Sequence, residues 1–221
     1  SNIAATNMSV GGSTSIWTYA YTAPEGDGTQ TIALSVGTDA AGNVVTSTPT
    51  AGSQFTVDNT APSLTQVTAI TTPGNDSTPS FIFTTNEAGT ISTNITEGFS
   101  TGVNASTGSN QTITFNTLSD GTYASKTVTV TDTAGNAGSI TIPTFVIETV
   151  LPTITNVTSS TANGVFTTGD VISIQVTFAE AVTVTGTPQL TLETGGNDAV
   201  VDFASGSGGT DLTFTYTVGA N

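Results

Sequence analysis

Carboxylate and amide side chains recur in this sequence at fixed spacings, whereas the residues of common catalytic sites are missing. The run Asp39-Ala40-Ala41-Gly42-Asn43 returns as Asp132-Thr133-Ala134-Gly135-Asn136, with 132 − 39 = 93 residues between the copies. Because the chain has no His and no Cys, it forms no Ser-His-Asp triad, no cysteine nucleophile and no zinc site with nitrogen or sulfur ligands. The repeated oxygen donors instead suit a hard cation such as Ca²⁺, which takes about six to eight oxygen ligands.

The charge balance excludes several classes of partner. Asp and Glu number 16 against a single Lys, which gives a formal net charge of −15. One cation cannot neutralise a phosphate backbone, so we expect no nucleic acid partner, and attraction to anionic lipid headgroups fails for the same reason. No run of about 18 apolar residues is present, so we expect no membrane insertion. Most of the polar surface must come from the 51 Thr and 22 Ser residues.

Alternating apolar residues predict the elements that position the oxygen donors. In the runs 172–178 and 212–218 every second residue is apolar or aromatic, and the residues between them are Ser, Thr or Gln. Shorter runs of the same kind occur at 32–36, 113–115 and 128–130. A period of two is typical of strands with one buried face, and no stretch shows convincing helical periodicity. The pattern therefore favours an all-β fold and argues against disorder.

A second repeat indicates the domain boundaries. The run from Val57 to Pro62 returns in looser form from Ile147 to Pro152, and Asp58 and Glu148 are 148 − 58 = 90 residues apart. A unit of about 90 residues built of short strands fits a β-sandwich. We predict a partial domain at 1–59 with only its later strands, a complete domain at 60–149, and a partial domain at 150–221 with only its early strands. The predicted strands of the complete domain are 63–70, 79–85, 89–95, 101–106, 111–116, 123–132 and 137–147, with a one-residue β-bulge near Ala124-Ser125-Lys126.

These motifs resemble those of a known family. The run Asp120-Gly121-Thr122-Tyr123, followed by a strand and the motif from Asp132 to Asn136, is similar to the bacterial Ig-like repeats of giant extracellular adhesins and surface-layer-type proteins. The run from Asp58 to Pro62 resembles the linker between such repeats, and 177–218 resembles a second repeat type. The resemblance implies tandem Ig-like β-sandwich domains, the outer two incomplete in this segment, with calcium at their junctions. The sequence departs from the family pattern at Gln30 in place of Tyr, and at Glu148 in place of Asp.

The topology of an Ig-like sandwich groups the oxygen donors at one domain junction. Its B–C and F–G loops lie at the end where the first strand enters. Glu87 would lie on the B–C loop and Asp132 and Asn136 on the F–G loop, while Asp58 and Asn59 belong to the incoming linker. Three carboxylates without a cation would repel each other, so we predict a Ca²⁺ site at these five residues. The alternative is that they only form turns and cap strands.

The same logic predicts weaker versions of the site at two other junctions. Glu148 lies in the second linker, and Glu180 follows Phe178 as Glu87 follows the second strand of the complete domain. Asp39 and Asn43 would face a linker upstream of residue 1.

The sequence thus predicts a structural role. We expect a rigid stalk or spacer in a large extracellular cell-surface protein, serving adhesion or biofilm, with neighbouring Ig-like domains of the same longer chain as its partners. The missing catalytic residue types argue against an enzyme. One alternative is a subunit of an S-layer lattice or filament, which would self-assemble. The other is a carbohydrate-binding module that uses Trp17, Tyr19 and Tyr21.

Overall fold

The computed structural model describes residues 9–10, 17–18, 20–22, 26–33, 41–44, 51–100 and 102–219. In this part of the chain every regular element is a β-strand, which confirms the all-β prediction. The chain divides into two compact units, Ser1–Thr149 and Val150–Asn221. Within the described ranges, no helix has the length and apolar character needed to cross a membrane.

The first unit begins with two separate antiparallel pairs. Strands β1 (Ser9–Val10) and β2 (Trp17–Thr18) form one pair, and β3 (Gly28–Thr31) and β4 (Gln54–Val57) form the other. Strand β4 ends one residue before Asp58, so this second pair determines where the first linker starts.

The rest of the first unit contains two larger sheets and a third short pair. The three-stranded sheet has the order β5 (Leu64–Thr68), β6 (Ser80–Thr85), β9 (Gln111–Thr114). The four-stranded sheet has the order β12 (Ala137–Ile142), β11 (Lys126–Thr131), β7 (Gly89–Thr93), β8 (Asn104–Ala105). Strands β10 (Gly121–Tyr123) and β13 (Phe145–Ile147) pair with each other. This arrangement of antiparallel sheets is of the β-sandwich class.

Alternation along the strands builds one core from all three sheets. In β6, Phe81 and Phe83 are fully buried, whereas Ile82 between them is half-buried on the opposite face. The same cluster includes Ile91, Ile113, Phe115, Val128, Val130, Ile142, Phe145 and Ile147. Burial of one such side chain stabilises the folded state by about 1.5–3 kcal/mol, so the cluster is the main source of stability in this unit.

Two strands predicted as continuous are each interrupted. The predicted strand 123–132 divides into β10 and β11 at Ala124 and Ser125, and 137–147 divides into β12 and β13 at Pro143. Ser125 has a φ of 55°, which ends the extended backbone, and Pro143 has no N–H to donate to a ladder. The irregularity expected near Ala124-Ser125-Lys126 is therefore a break between two sheets and not a β-bulge within one strand.

The second unit is a single five-stranded antiparallel sheet. Its order is β14 (Ile154–Ser159), β15 (Val171–Val182), β18 (Gly209–Thr217), β17 (Ala199–Ser205), β16 (Gln189–Leu192). Its buried cluster is smaller than that of the first unit and consists of Ile174, Val176, Val201, Leu212 and Phe214. All residues of β14 are exposed, so this edge strand contributes nothing to the buried cluster.

Candidate metal centre

Three of the predicted ligands come together in the first unit. Asp58 follows β4, Glu87 lies between β6 and β7, and Asp132 lies between β11 and β12. One carboxylate oxygen from each lies within 4.8 Å of the other two. Oxygens on opposite sides of a Ca²⁺ ion are at most about 4.6–5.2 Å apart, because each Ca–O distance is about 2.3–2.6 Å. The spacing of the three carboxylates therefore fits one cation between them.

Strand pairing brings Glu87 and Asp132 together. Thr90 in β7 pairs with Thr131 in β11, so the residues just before β7 lie beside the residue just after β11. The close approach requires glycine at position 89, because a Cβ atom there would lie 2.4 Å from the carbonyl oxygen of Thr131. The two carboxylates therefore meet because of the register of the four-stranded sheet.

The turn after β11 wraps around the Asp132 carboxylate. Its Oδ1 accepts hydrogen bonds from the backbone N–H groups of Gly135 (2.7 Å) and Asn136 (2.9 Å), and its Oδ2 accepts one from the Asn136 side chain (2.9 Å). Gly135 has a φ of 99°, in the left-handed region that glycine adopts without steric cost. The motif Asp-x-Ala-Gly-Asn therefore forms a turn closed around its first carboxylate.

The first linker is held against this turn and the adjacent strand. The Asn136 side chain donates its second hydrogen bond to the carbonyl oxygen of Asp58 (3.1 Å). Further along the linker, Pro62 is buried against β12, where a Cβ atom at Gly138 would lie 1.6 Å from the Pro62 carbonyl oxygen. Asn86, next to Glu87, accepts a hydrogen bond from the N–H of Ser63 (2.6 Å). These contacts fix the linker carboxylate relative to the two loop carboxylates.

The electrostatics of the cluster favour a cation. Partial removal from water raises the pKa of Glu87 above its ordinary 4.5, and the charges of nearby carboxylates raise it further. These neighbours are Asp58, Asp132 and Asp27. Removal from water also acts to raise the pKa of Asp132, but hydrogen bonds from Asn136 and from the turn N–H groups outweigh it and lower that pKa below 3.8. Bound cation charge would relieve the repulsion at Glu87.

The side-chain nitrogens of the two predicted amide ligands donate hydrogen bonds to neighbouring groups. Asn59 donates its side-chain N–H to the carbonyl oxygen of Gly26 (3.2 Å) and its backbone N–H to Oδ1 of Asp27 (2.6 Å). Asn136 donates to Asp58 and Asp132 as described above. These contacts join the linker and the turn to neighbouring groups, and cation binding by the two amide oxygens stays a prediction.

The residues predicted for the other junctions lie in different units or partly outside the described residues. Glu148 is exposed in the first unit and its N–H donates to the carbonyl oxygen of Gly74 (2.9 Å), whereas Glu180 lies within β15 of the second unit. Asn43 is exposed, and Asp39 lies outside the described residues. Gly42 has a φ of 91°, close to the 99° of Gly135. Cation sites at these two junctions stay predictions.

Sequence reasoning did not single out Asp27 and Asp120 as linker contacts. Oδ1 of Asp27 accepts from Asn59, and its Oδ2 accepts from the Thr60 hydroxyl. Oδ1 of Asp120 accepts from the N–H (3.1 Å) and the hydroxyl (2.7 Å) of Thr149. The signal was present in the sequence, since each Asp is followed by Gly and Thr, and 120 − 27 = 93 residues separate the copies.

No protein-family model, curated protein or solved structure matches this chain. A functional conclusion must therefore come from the geometry of the carboxylates and of the linker that carries one of them.

Proposed function

We propose that this chain is a rigid spacer segment of a large extracellular cell-surface protein, and that Ca²⁺ at the first linker stiffens it. The observation that carries the proposal is the meeting of Asp58 with Glu87 and Asp132 within 4.8 Å. Asp58 leaves the β3–β4 pair, whereas the other two carboxylates belong to loops of the following sandwich. A cation bound by all three would tie the end of one element to the loops of the next.

The mechanism is a change in linker stiffness that depends on the cation. Without a cation, repulsion among the three carboxylates opposes the position of the linker. With Ca²⁺, the repulsion becomes attraction, and binding stabilises the folded junction by mass action. Extracellular calcium modules bind with Kd values of about 0.1–1 mM, so a site of this class would fill outside a cell and stay empty in cytosol.

Repetition of local structure supports tandem Ig-like domains. Gly28 and Gly121 begin equivalent strands, and they pair with Val57 and Ile147, the last residues before the two linkers. In the complete domain the Tyr123 hydroxyl donates to the carbonyl oxygen of Ser119 (2.9 Å). A tyrosine bonded to the backbone a few residues upstream, near the start of a late strand, is a feature of immunoglobulin-type sandwiches.

The position of the charges fits a spacer that is joined at its loops. Between residues 60 and 149, none of the six carboxylates lies in a strand. They are Asp76, Glu87, Glu97, Asp120, Asp132 and Glu148. The strands of this domain expose hydroxyl groups instead, as in β11, where Thr127, Thr129 and Thr131 alternate with the buried Val128 and Val130. Between residues 60 and 149, negative charge is therefore concentrated where the chain turns or enters a linker.

Calcium titration of the purified 221-residue chain tests the proposal. We expect Ca²⁺ to raise the melting temperature and to narrow the distribution of dimensions seen by small-angle scattering, and EDTA to reverse both. The double variant D58N/D132N should behave in calcium as the wild type does in EDTA. Asp198→Asn is the matched control, because Asp198 is an exposed carboxylate outside the cluster. If calcium changes neither measurement in the wild type, the proposal is wrong.

Two further measurements separate the spacer from the two alternatives. A subunit of an S-layer or filament should form sheets or fibres when calcium is added, whereas a spacer should stay monomeric in analytical ultracentrifugation. A carbohydrate-binding module should show saturable binding on a glycan array that is lost on Trp17→Ala. In the structure the ring of Tyr21 packs edge-on against Phe55 (6.2 Å between centroids), which favours a packing role for this aromatic residue.

A further inference from the structure

Each linker is held at its start by an aspartate from the preceding strand pair. Asp27 immediately precedes β3 and accepts hydrogen bonds from Asn59 and Thr60, just after β4. Asp120 immediately precedes β10 and accepts two from Thr149, just after β13. In both cases, the aspartate precedes the first strand of an antiparallel pair. The residues that donate to it follow the second strand of that pair.

The two contacts share the same backbone frame. Each aspartate is followed by glycine at a positive φ, 132° at Gly28 and 148° at Gly121. Each glycine pairs with the last residue of the partner strand, Val57 or Ile147. In both copies the residue after that pairing partner carries a carboxylate, Asp58 in the first linker and Glu148 in the second. The frame thus occurs twice, although the linker sequences differ.

In the first linker this frame fixes the backbone on both sides of Asp58. On one side Val57 is paired with Gly28, and on the other side the N–H of Asn59 is held by Asp27 at 2.6 Å. The carbonyl oxygen of Asp58 accepts the Asn136 side chain as a third restraint. A linker carboxylate held this way keeps its direction towards Glu87 and Asp132.

We infer that Asp27 is a positioning residue for the calcium site, which it serves by holding the linker that carries Asp58. This inference rests on the proposed function. Asp27 contacts Asn59 and Thr60 and is not one of the three grouped carboxylates, while its negative charge adds to the field that attracts a cation. Loss of an outer contact that orients a metal ligand commonly costs about 10–100-fold in affinity.

Calcium titration followed by NMR tests this role residue by residue. The amides of Gly135 and Asn136 both donate to Asp132, so their shifts report occupancy of the first-linker site in the full chain. We expect Asp27→Asn to raise the Kd at these amides by about tenfold or more. Asp120→Asn removes the equivalent contact from the second linker and should leave this Kd unchanged, which separates positioning from general stability. Thr60→Val removes one hydrogen bond to Asp27 and should give a smaller rise in Kd.

The outcomes distinguish this inference from the proposed function. If the wild type shows no saturable calcium shift at Gly135 and Asn136, both are wrong. If the wild type binds calcium, and Asp27→Asn and Thr60→Val both bind it as tightly as the wild type does, only the positioning role is overturned. An equal loss of affinity in Asp27→Asn and Asp120→Asn would also overturn it, because the effect would then follow stability alone. If Asp27→Asn does not fold, the Thr60→Val titration decides.

Discussion

The two linkers start alike and continue differently. Each linker leaves a strand pair, and its first residues donate hydrogen bonds to an aspartate of that pair. The aspartate is Asp27 for the first linker and Asp120 for the second. Four residues after each linker carboxylate is a proline, and Pro62 is buried whereas Pro152 is exposed. The start of a linker is therefore a repeated feature of the chain, whereas the prolines that follow differ in burial.

The predicted partners of the two linker carboxylates also differ. Glu87 and Glu180 are 180 − 87 = 93 residues apart and occupy equivalent positions in the repeat. Strand β6 ends at Thr85, so Glu87 lies in a turn, whereas β15 continues to Val182 and keeps Glu180 on a strand. The two glutamates thus differ in local structure, Glu87 in a turn of the first unit and Glu180 on a strand of the second.

The largest expected effect comes from disturbing the packing of the first linker. Gly138→Ala would place a methyl group 1.6 Å from the Pro62 carbonyl oxygen, where only a backbone shift can make room. We expect a loss of unfolding free energy of about 3 kcal/mol in the first unit, measured by urea denaturation. Gly164→Ala, in the second unit, is the control, because its new Cβ would have its nearest neighbour at 3.6 Å. Equal stability of the two variants would show that Pro62 is not packed as described.

A smaller effect should separate the carboxylates of the two linkers. If Asp58 is a ligand, about 10 mM Ca²⁺ with a Kd of about 0.1–1 mM adds roughly 1.4–2.7 kcal/mol to the stability of the junction. That corresponds to a rise of about 3–10 °C in melting temperature for a unit of this size. We expect Asp58→Asn to abolish the rise in the first unit and Glu148→Gln to retain it there. Differential scanning calorimetry with and without calcium measures the rise in melting temperature for each variant. A rise that Asp58→Asn retains and Glu148→Gln loses would contradict the difference between the linkers.

Much of this comparison could be predicted from the sequence. The period-two runs indicated the strands, and the copies of Asp-x-Ala-Gly-Asn indicated an equivalent loop, so the grouping of Asp58, Glu87 and Asp132 was expected before the structure. The extension of β15 past Glu180 was not, because a strand's end depends on its pairing with β18 and not on its own residues. The hydrogen bonds that Asn59 and Asn136 donate were also not expected, since residue type alone does not show which acceptor an amide nitrogen finds.

The pH dependence of stability should reveal the repulsion at Glu87 in protein without calcium. Because the folded-state pKa of Glu87 is raised, the folded state binds this proton more tightly than the unfolded state does. This contribution is complete below 4.5 and is lost as the pH rises through the raised value. The contribution of Asp132 has the opposite sign, since its pKa is lowered, and it is lost as the pH falls below 3.8.

We therefore expect the melting temperature in EDTA to rise as the pH falls from neutral towards 4.5 and then to decline below 3.8. Glu87→Gln should be more stable than the wild type at neutral pH in EDTA and should reduce the rise on acidification. In calcium the melting temperature should instead fall as the pH falls, because protons then compete with the cation for the carboxylates. A wild type and a Glu87→Gln variant with the same pH profile would show that the cluster is not strained by its own charge.

The smallest effect is expected at the single basic residue of the chain. Lys126 lies over the Tyr123 ring, with Nζ 5.9 Å from its centroid, and this contact contributes about 0.5–1 kcal/mol at an exposed site. Lys126→Met should therefore lower stability slightly in thermal denaturation while leaving the calcium-induced rise in melting temperature unchanged. A changed calcium response would mean that Lys126 acts on the carboxylate cluster through the field of the protein. An unchanged response would leave a cation from solution as the counter-charge for Asp58, Glu87 and Asp132.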